Sequence, residues 1–410
     1  MTTVESDPAA GWLRQARPRL RDDVRVGPAL AQGSADVHIV GDRATGAYVR
    51  VGAREAFLMS RLDGHRTLAE IGEDYADAFG RRLAVAHWQQ LLGLLAGRGL
   101  MEPADDTRLA EVRERAAVAR RTEGRSPLLW RLPVRGAAAL VPSAARWFSR
   151  LLHPLAAAPL TLAGFAVVAA SLLSWGELYA AFTGDWTVTV AAAVVTWLVI
   201  CAHEFGHGVA CHRYGGVPTE IGLMWRFPLI APYCKVDDVV TFPRRSQRVM
   251  TSFAGVYVNL LALLPFAALW WWGPSSGWWH GLAGGLLLLG AVSTIANLIP
   301  VLKLDGYHML EHATSTLHLQ SESFRFAGAA VRGGAGEYPA RLRVVYGAYL
   351  VVAVGILGTA LVLAVRYWYL TLAGFWGPLW AVLFLAGEAL VVAALLRWAV
   401  VWRRRKAEQT

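Results

Sequence analysis

His203-Glu-Phe-Gly-His207 sets two imidazoles four residues apart with a glutamate next to the first. On a helix this spacing puts both rings on one face, close enough to share a Zn2+. It leaves Glu204 beside the metal to take a proton from bound water. Directly before the motif runs an uncharged apolar stretch, Trp186 to Ala202. In a soluble chain the motif would indicate an ordinary zinc peptidase. At the end of a membrane span it points to hydrolysis of peptides in or at the bilayer. Two core histidines packed on one helix face would share the spacing, but a glutamate between histidines near bilayer depth is expensive to keep idle.

The surrounding composition is that of a membrane protein. Of 410 residues, 55% are hydrophobic and only 17% charged, with 18 tryptophans, and the mean hydropathy is +0.37. A soluble chain ordinarily carries about a quarter charged residues. Net charge is +10, and the basic residues are nearly all arginine, with lysine only at 235, 303 and 406. A positive excess on the cytoplasmic side accounts for this charge more simply than nucleic-acid binding does. Cys201, Cys211 and Cys234 form neither CxxC spacing nor a disulfide framework and are expected to stay reduced. Met1 to Trp12 is polar and acidic, unlike a signal peptide, so internal spans are expected to direct insertion.

By the roughly 20-residue criterion there are about six spans, near 155–176, 186–208, 250–272, 279–301, 344–366 and 378–402. Arginine and lysine sort to alternate sides of them. Arg131, Arg135, Arg146 and Arg150 precede the first span. Arg213, Arg226, Lys235, Arg244, Arg245 and Arg248 follow the second, and Lys303, Arg325, Arg332, Arg341 and Arg343 follow the fourth. Loops 177–185, 273–278 and 367–377 carry none, and Arg403 to Lys406 close the chain. This bias places both termini in the cytoplasm.

That topology brings a third group toward the histidines. The second span runs inward, and His203 lies about 26 Å past Trp186 at 1.5 Å per residue. The fourth span also runs inward and ends in Asn297-Leu-Ile-Pro-Val-Leu-Lys-Leu-Asp305-Gly306. Asn297 lies about 24 Å past Gly281, a similar depth. Pro300 must break that helix, and Asp305 follows the break, free to turn toward a metal. Two histidines and one carboxylate leave the fourth zinc position open for water, the catalytic arrangement. Asp-Gly alone would also serve as a plain turn.

With these residues in view, the chain resembles the site-2 protease-type intramembrane zinc metalloproteases. His203–His207 with Asn297-x-x-Pro300-x-x-x-Leu304-Asp305-Gly306 is similar to their two-part signature. Gly255-Val-Tyr-Val-Asn259 is similar to their Gly-Pro-x-x-Asn element, but carries Val256 in place of proline and one further residue before the asparagine. The resemblance covers residues near 186–310 and implies His203, His207 and Asp305 as zinc ligands, Glu204 as general base and Asn297 as oxyanion donor. In that chemistry zinc lowers the pKa of its water toward about 7 and polarises the scissile carbonyl. Glu204 takes the proton and returns it to the leaving amine. A donor such as Asn297 is typically worth about 10²–10³ in rate.

Other features leave alternatives open. Thr219–Asp238 carries Pro228 and Pro232 and reads either as a re-entrant hairpin that docks substrate as an added strand or as a surface loop. His308-Met-Leu-Glu-His312 has the form of an inverted zinc motif and competes with the first site, or belongs to a helix edging the pocket. Glu388, near the middle of the sixth span, is a candidate hydrogen-bonded carboxyl or a lining of a water path.

The first ~105 residues read as soluble: strands over Val24–Ala31, Ala35–Val40 and Ala47–Val51, then helices over Arg54–Leu62, Leu68–Phe79 and Val85–Ala96. Asp106–Arg125 is a charged linker helix, and Leu128–Leu152, alternating arginine with Leu, Trp and Val, an interfacial segment. Within Val24–Glu102, Tyr48-Val-Arg-Val51, Phe57-Leu-Met-Ser-Arg-Leu-Asp-Gly64 and Arg66-Thr-Leu-Ala-Glu-Ile71 resemble PqqD-like peptide-recognition domains. That resemblance implies binding of the leader of a ribosomally made, post-translationally modified precursor peptide (RiPP). A DNA-reading winged helix is disfavoured by acidic residues at 63, 70, 73, 74 and 77.

The expectation is a polytopic α-helical membrane protein of about six transmembrane helices with a small N-terminal α+β winged-helix-like cytosolic domain. Its parts are leader recognition (1–105), charged linker and interfacial segment (106–152), intramembrane zinc metalloprotease (153–402) and basic cytoplasmic tail (403–410). The architecture is similar to the intramembrane metalloproteases of daptide-type RiPP pathways. This similarity implies a multi-pass protein of a bacterial cell membrane that cleaves the leader from a hydrophobic or membrane-associated precursor, working with other pathway enzymes and without nucleic acid. Regulated intramembrane proteolysis of a membrane-bound signalling factor stays open. So does a non-catalytic zinc-binding peptide scaffold or immunity protein.

Overall fold

The computed structural model describes residues 8–103, 106–122, 129–134, 136–148, 150–226 and 229–407. The expectations for residues 1–7, the linker end at 123–128, Arg135, Pro228 and residues 408–410 lie outside the described residues. The chain is mostly helical with a small N-terminal sheet region, and among the described residues six helices are long and apolar enough to cross a membrane. It divides after Arg343 into two compact units.

The first unit starts with α1 (Pro8–Gln15), then strands β1 (Arg19–Leu20), β2 (Val24–Val26), β3 (Leu30–Gln32), β4 (Ala35–Asp42) and β5 (Ala47–Gly52). Helices α2 (Ala53–Met59), α3 (Leu68–Phe79) and α4 (Val85–Gly97) and strand β6 (Met101–Glu102) follow. β4 pairs antiparallel with β2 and β3 along one edge and with β5 along the other. The expected strand over Val24–Ala31 is two strands, parted at Pro28, which has no amide to donate. Leu58, Met59, Leu68, Ile71 and Trp88 bury in the core of this module. The residues that carry the resemblance to peptide-recognition domains do local work here. Asp63 Oδ1 accepts from the His65 and Arg66 amides at 2.8 and 3.0 Å, and Thr67 and Glu70 cap the start of α3 reciprocally.

The charged linker is helix α5 (Asp106–Thr122). The segment expected to lie at the interface is built of strand β7 (Leu129–Pro133), a 3₁₀ turn and the short helix α6 (Val141–Trp147). Its arginine–apolar alternation has the period of a strand, and β7 pairs with β8 (Glu220–Arg226), leaving Trp130 and Leu132 exposed. Between them run α7 (Pro154–Leu173), α8 (Trp175–Phe182) and α9 (Trp186–Arg213). The first expected span, 155–176, thus ends early, at Leu173, and a separate helix follows. β8 forms a hairpin with β9 (Leu229–Lys235), so the irregular segment is the centre and far edge of a three-stranded sheet in the order β7-β8-β9. Helices α10 (Arg245–Trp272), α11 (Trp278–Leu298), α12 (Asp305–Thr314) and α13 (Leu319–Val331) complete the unit. α10 packs against α7, α9, α11 and α12. It is the post around which the others stand.

The N-terminal module is not separate from this helical part. Ala31 on the edge of β3 donates its amide to Ser315 O at 2.9 Å and accepts from the Leu317 amide at 2.8 Å. Arg248, almost fully buried at the start of α10, donates to Phe242 O and Ser315 Oγ at 2.7 and 2.9 Å. These contacts join the N-terminal module to the loop after α12. Its sheet edge is finished by the loop after α12.

The second unit, Val344–Thr410, holds most of α14 (Ala340–Trp376) and all of α15 (Pro378–Ala407). Glu388 is exposed on α15 and accepts from Trp368 Nε1 on α14 at 3.2 Å.

Inside the module, buried Arg21 meets Asp42 at 2.5 Å, and Asp42 also accepts from Thr45 Oγ1 and the Ala44 amide. Arg21→Met should destabilise the N-terminal sheet by about 3–5 kcal/mol, because it strands a buried carboxylate. The double change with Asp42→Asn should recover part of the loss. Amide hydrogen exchange across β4 is the readout, and unchanged protection in the single variant would contradict the role of the pair.

Candidate metal centre

The helical spacing of His203 and His207 does what it implies: both rings lie buried on one face of α9, their Nε2 atoms 3.3 Å apart. Asp305 is the first residue of α12. α11 stops at Leu298 and Pro300 follows the break, so the chain turns and presents Asp305 to the same face of α9. Its Oδ2 lies 3.0 Å from His203 Nε2 and its Oδ1 3.2 Å from His207 Nε2. Among the described residues this is the group of His, Cys, Asp or Glu side chains that could hold a metal ion.

The donor set fits such an ion. A tetrahedral Zn2+ with bonds of about 2.0–2.1 Å holds its ligands about 3.3 Å apart, close to the separations found here. His207 Nδ1 donates to Thr251 O on α10 at 2.8 Å, which leaves Nε2 as a bare lone pair aimed at the other donors. Asp305 Oδ2 is buried and not aligned for a hydrogen bond despite its closeness to His203. Burial opposes ionisation of Asp305, but hydrogen bonds from and the charge on His203 and His207, when these rings are protonated, outweigh this and hold the carboxyl well below its usual range.

Two glycines make the convergence possible. A Cβ on Gly255 of α10 would lie 2.5 Å from Nε2 of both histidines, so any side chain there would occupy the space the donors share. A Cβ on Gly306 would lie 2.3 Å from Leu298 O, so α12 starts tight against the end of α11 only because residue 306 has none. Asp-Gly is therefore a packing device that brings Asp305 to the two histidines, not a plain turn.

Glu204, half-buried on the same helix, accepts from the Cys234 amide of β9 at 3.1 Å. That bond points away from β8, because Cys234 pairs with Ile221 while the neighbouring Lys235 carbonyl takes the Thr219 amide on the β8 side. The outer edge of β9 thus runs beside α9, where Trp197 Nε1 also donates to Ile230 O at 3.4 Å. Pro232 lies between these two contacts, on an edge strand where a missing amide costs no ladder bond.

Asn297 lines the same cleft, with its Nδ2 donating to Ser293 O on its own helix at 3.1 Å. The competing His308–His312 motif has another use. Glu311 accepts from the His318 and Leu319 amides at 2.5 and 3.3 Å and from His308 Nδ1 at 3.3 Å, so it caps the start of α13. His312 is buried and held neutral, its pKa lowered to about 4 by burial first and then by His308 and Arg248. The cysteines are free, and Cys234 contributes its amide rather than its thiol.

The cleft of about 770 Å³ that contains His203, His207 and Asp305 is also walled by Ile39 and Tyr48 of the N-terminal sheet. Sequence reasoning missed this wall, the Thr251 carbonyl and the Cys234 amide. None has a local signal, since each works through a backbone group or a partner far along the chain. In comparisons with protein-family profiles, curated proteins and solved structures, nothing matches this chain.

Gly255→Ala tests the centre without touching a ligand. The added methyl should leave the helices assembled but cut metal retention at least about tenfold, the effect expected of an imperfect ligand shell. Elemental analysis of the purified variant, checked against its circular dichroism, measures it. Full metal content would place the ion elsewhere.

Proposed function

We propose that this chain is an intramembrane zinc metalloprotease that removes the leader from a hydrophobic or membrane-associated RiPP precursor at the cytoplasmic side of a bacterial membrane. The observation that carries the reading is the meeting of His203, His207 and Asp305 within ligand distance of one another, with Glu204 on the same helix. Two imidazoles and a carboxylate suit Zn2+ and leave a coordination position open. The site lies on the long apolar helix α9, at the end opposite Trp186, and so near one edge of a ~30 Å hydrocarbon core.

A zinc ion held there supplies Lewis-acid chemistry, activating water and polarising a scissile carbonyl. The chain's own groups do the rest. Glu204 takes the proton from the attacking water and passes it to the leaving amine. The Cys234 amide fixes one oxygen of that carboxylate. Asn297 is placed in the cleft wall, and its amide must leave Ser293 O to serve a developing oxyanion. The sheet β7-β8-β9 supports substrate docking in extended form, the form in which a peptide bond is open to attack. Its β9 edge is not bare, since Trp197 and Glu204 occupy the outward groups of Ile230 and Cys234. A substrate strand would have to exchange with those contacts.

The substrate assignment rests on the N-terminal module: its sheet-and-three-helix build and its place in the cleft wall suit peptide capture beside the metal. Partner enzymes of a peptide-modifying pathway and cytoplasmic termini belong to the same proposal, and nucleic acid has no part in it.

Glu204→Gln in the full-length protein should keep zinc and peptide binding while cleavage of the precursor falls about 10²–10⁴-fold, the usual size of general-base catalysis. Near-normal cleavage by this variant would contradict the mechanism. Zinc and leader binding in a wild type that cuts no precursor would instead favour a peptide-holding scaffold.

A further inference from the structure

Asp238, 2% exposed in the turn after β9, is held from both halves of the first unit. Tyr48 of β5 donates its hydroxyl to Oδ1 at 2.9 Å, and Arg43 lies 3.3 Å from Oδ2. The Val217 amide, between α9 and β8, donates to the same Oδ2 at 2.9 Å, while Arg43 also donates to Gly215 O. Burial first, and then the Asp238 charge, push the Tyr48 hydroxyl far above its ordinary value, so it remains a donor at any working pH. Four residues before Asp238, the Cys234 amide holds Glu204. A short, directly connected path therefore runs from the N-terminal sheet through Asp238 and the end of β9 to the general base.

We propose that Tyr48 and Arg43 are positioning residues that pin the end of β9 through Asp238 and thereby orient Glu204, so that the N-terminal sheet governs turnover at the metal as well as capture of the leader. The inference rests on the protease reading given above for its kinetic consequence, but the contact itself does not. A side chain that merely filled the module core would have no reason to aim its only polar atom at a buried carboxylate of another element. Ile39 and Tyr48 also stand in the cleft wall beside the ligands, so the sheet is part of the enclosure in which the peptide must lie. At the opposite side, the β3 edge grips Ser315 and Leu317 just past the helix that begins with Asp305. The module thus holds the elements that carry the base contact and the third ligand.

The consequence separates positioning from capture. A tether that only concentrates substrate raises apparent affinity and leaves the chemical step alone. A positioning contact lowers kcat when cut, whether or not the substrate carries a leader.

The test uses full-length Tyr48→Phe, which keeps the ring and loses the donor, with Arg43→Lys as the conservative partner change. Two substrates are compared: the whole precursor and a peptide spanning its cleavage site without the leader. Tyr48→Phe should lower kcat about tenfold on both, the effect of one hydrogen bond to a charged group. KM and zinc content should hold, and Arg43→Lys should retain most of the activity. Amide hydrogen exchange should speed up at Cys234–Val236 and not in α3. Unchanged kcat on the leaderless peptide together with unchanged exchange at β9 would overturn the proposal. If the wild type cuts neither substrate, the protease reading fails, and the exchange experiment alone still decides whether Tyr48 pins β9.

Discussion

Three electron-rich side-chain groups buried against one another are the constraint on which this structure depends. Two imidazole nitrogens and a carboxylate within 3.0–3.3 Å of one another stay together only with a proton or a cation shared among them. No hydrophobic gain would assemble them by itself. The fold meets the geometry through close backbone approach: α10 offers Gly255 where the nitrogens point, and α12 starts at Asp305 because Gly306 lets it abut the end of α11. Thr251 O then fixes the ring of His207. The glycines, the break at Pro300 and the buried carbonyl contact serve one local requirement.

The second requirement is access. A peptide bond inside a helix is shielded by its own hydrogen bonds, so a protease needs a place for extended chain beside the metal. Here the sheet β7-β8-β9 lies with one edge along α9, and the N-terminal sheet closes the cleft from another side. Arg248 and Asp238, both buried ions, tie these layers together through loops. Burying such charges is costly unless each finds partners; Asp238 has Tyr48, Arg43 and the Val217 amide, and Arg248 has Phe242 O and Ser315 Oγ. Recognition and hydrolysis are therefore mechanically joined in the proposed enzyme.

What the sequence disclosed follows the range over which each signal acts. The i, i+4 spacing of His203 and His207 is local, and hydropathy marks spans by composition, so both were legible. Asp305 could be found because two inward spans end at matching depth. Helix α3 was legible from the helical spacing of its apolar residues over Leu68–Phe79. By contrast, β7 meets β8 across about ninety intervening positions, and its arginine–apolar alternation suits an interface as well as an edge strand. Tyr48 and Asp238 are 190 residues apart, and the motif that holds Tyr48 says nothing of a partner so far along the chain. The inverted motif at His308–His312 lies on a helix edging the cleft, one of its two readings, but the use of Glu311 on backbone amides of α13 is one that residue identity does not display.

X-ray absorption at the zinc edge of the purified full-length protein tests the central claim most directly. The account predicts about one zinc per chain with two imidazole nitrogens and carboxylate or water oxygens at about 2.0–2.2 Å. In Asp305→Ala the carboxylate contribution should be lost and the zinc weakly held. Sulfur scattering near 2.3 Å, which would bring in Cys211 or Cys234, or a protein purified without bound metal that takes up none, would contradict it.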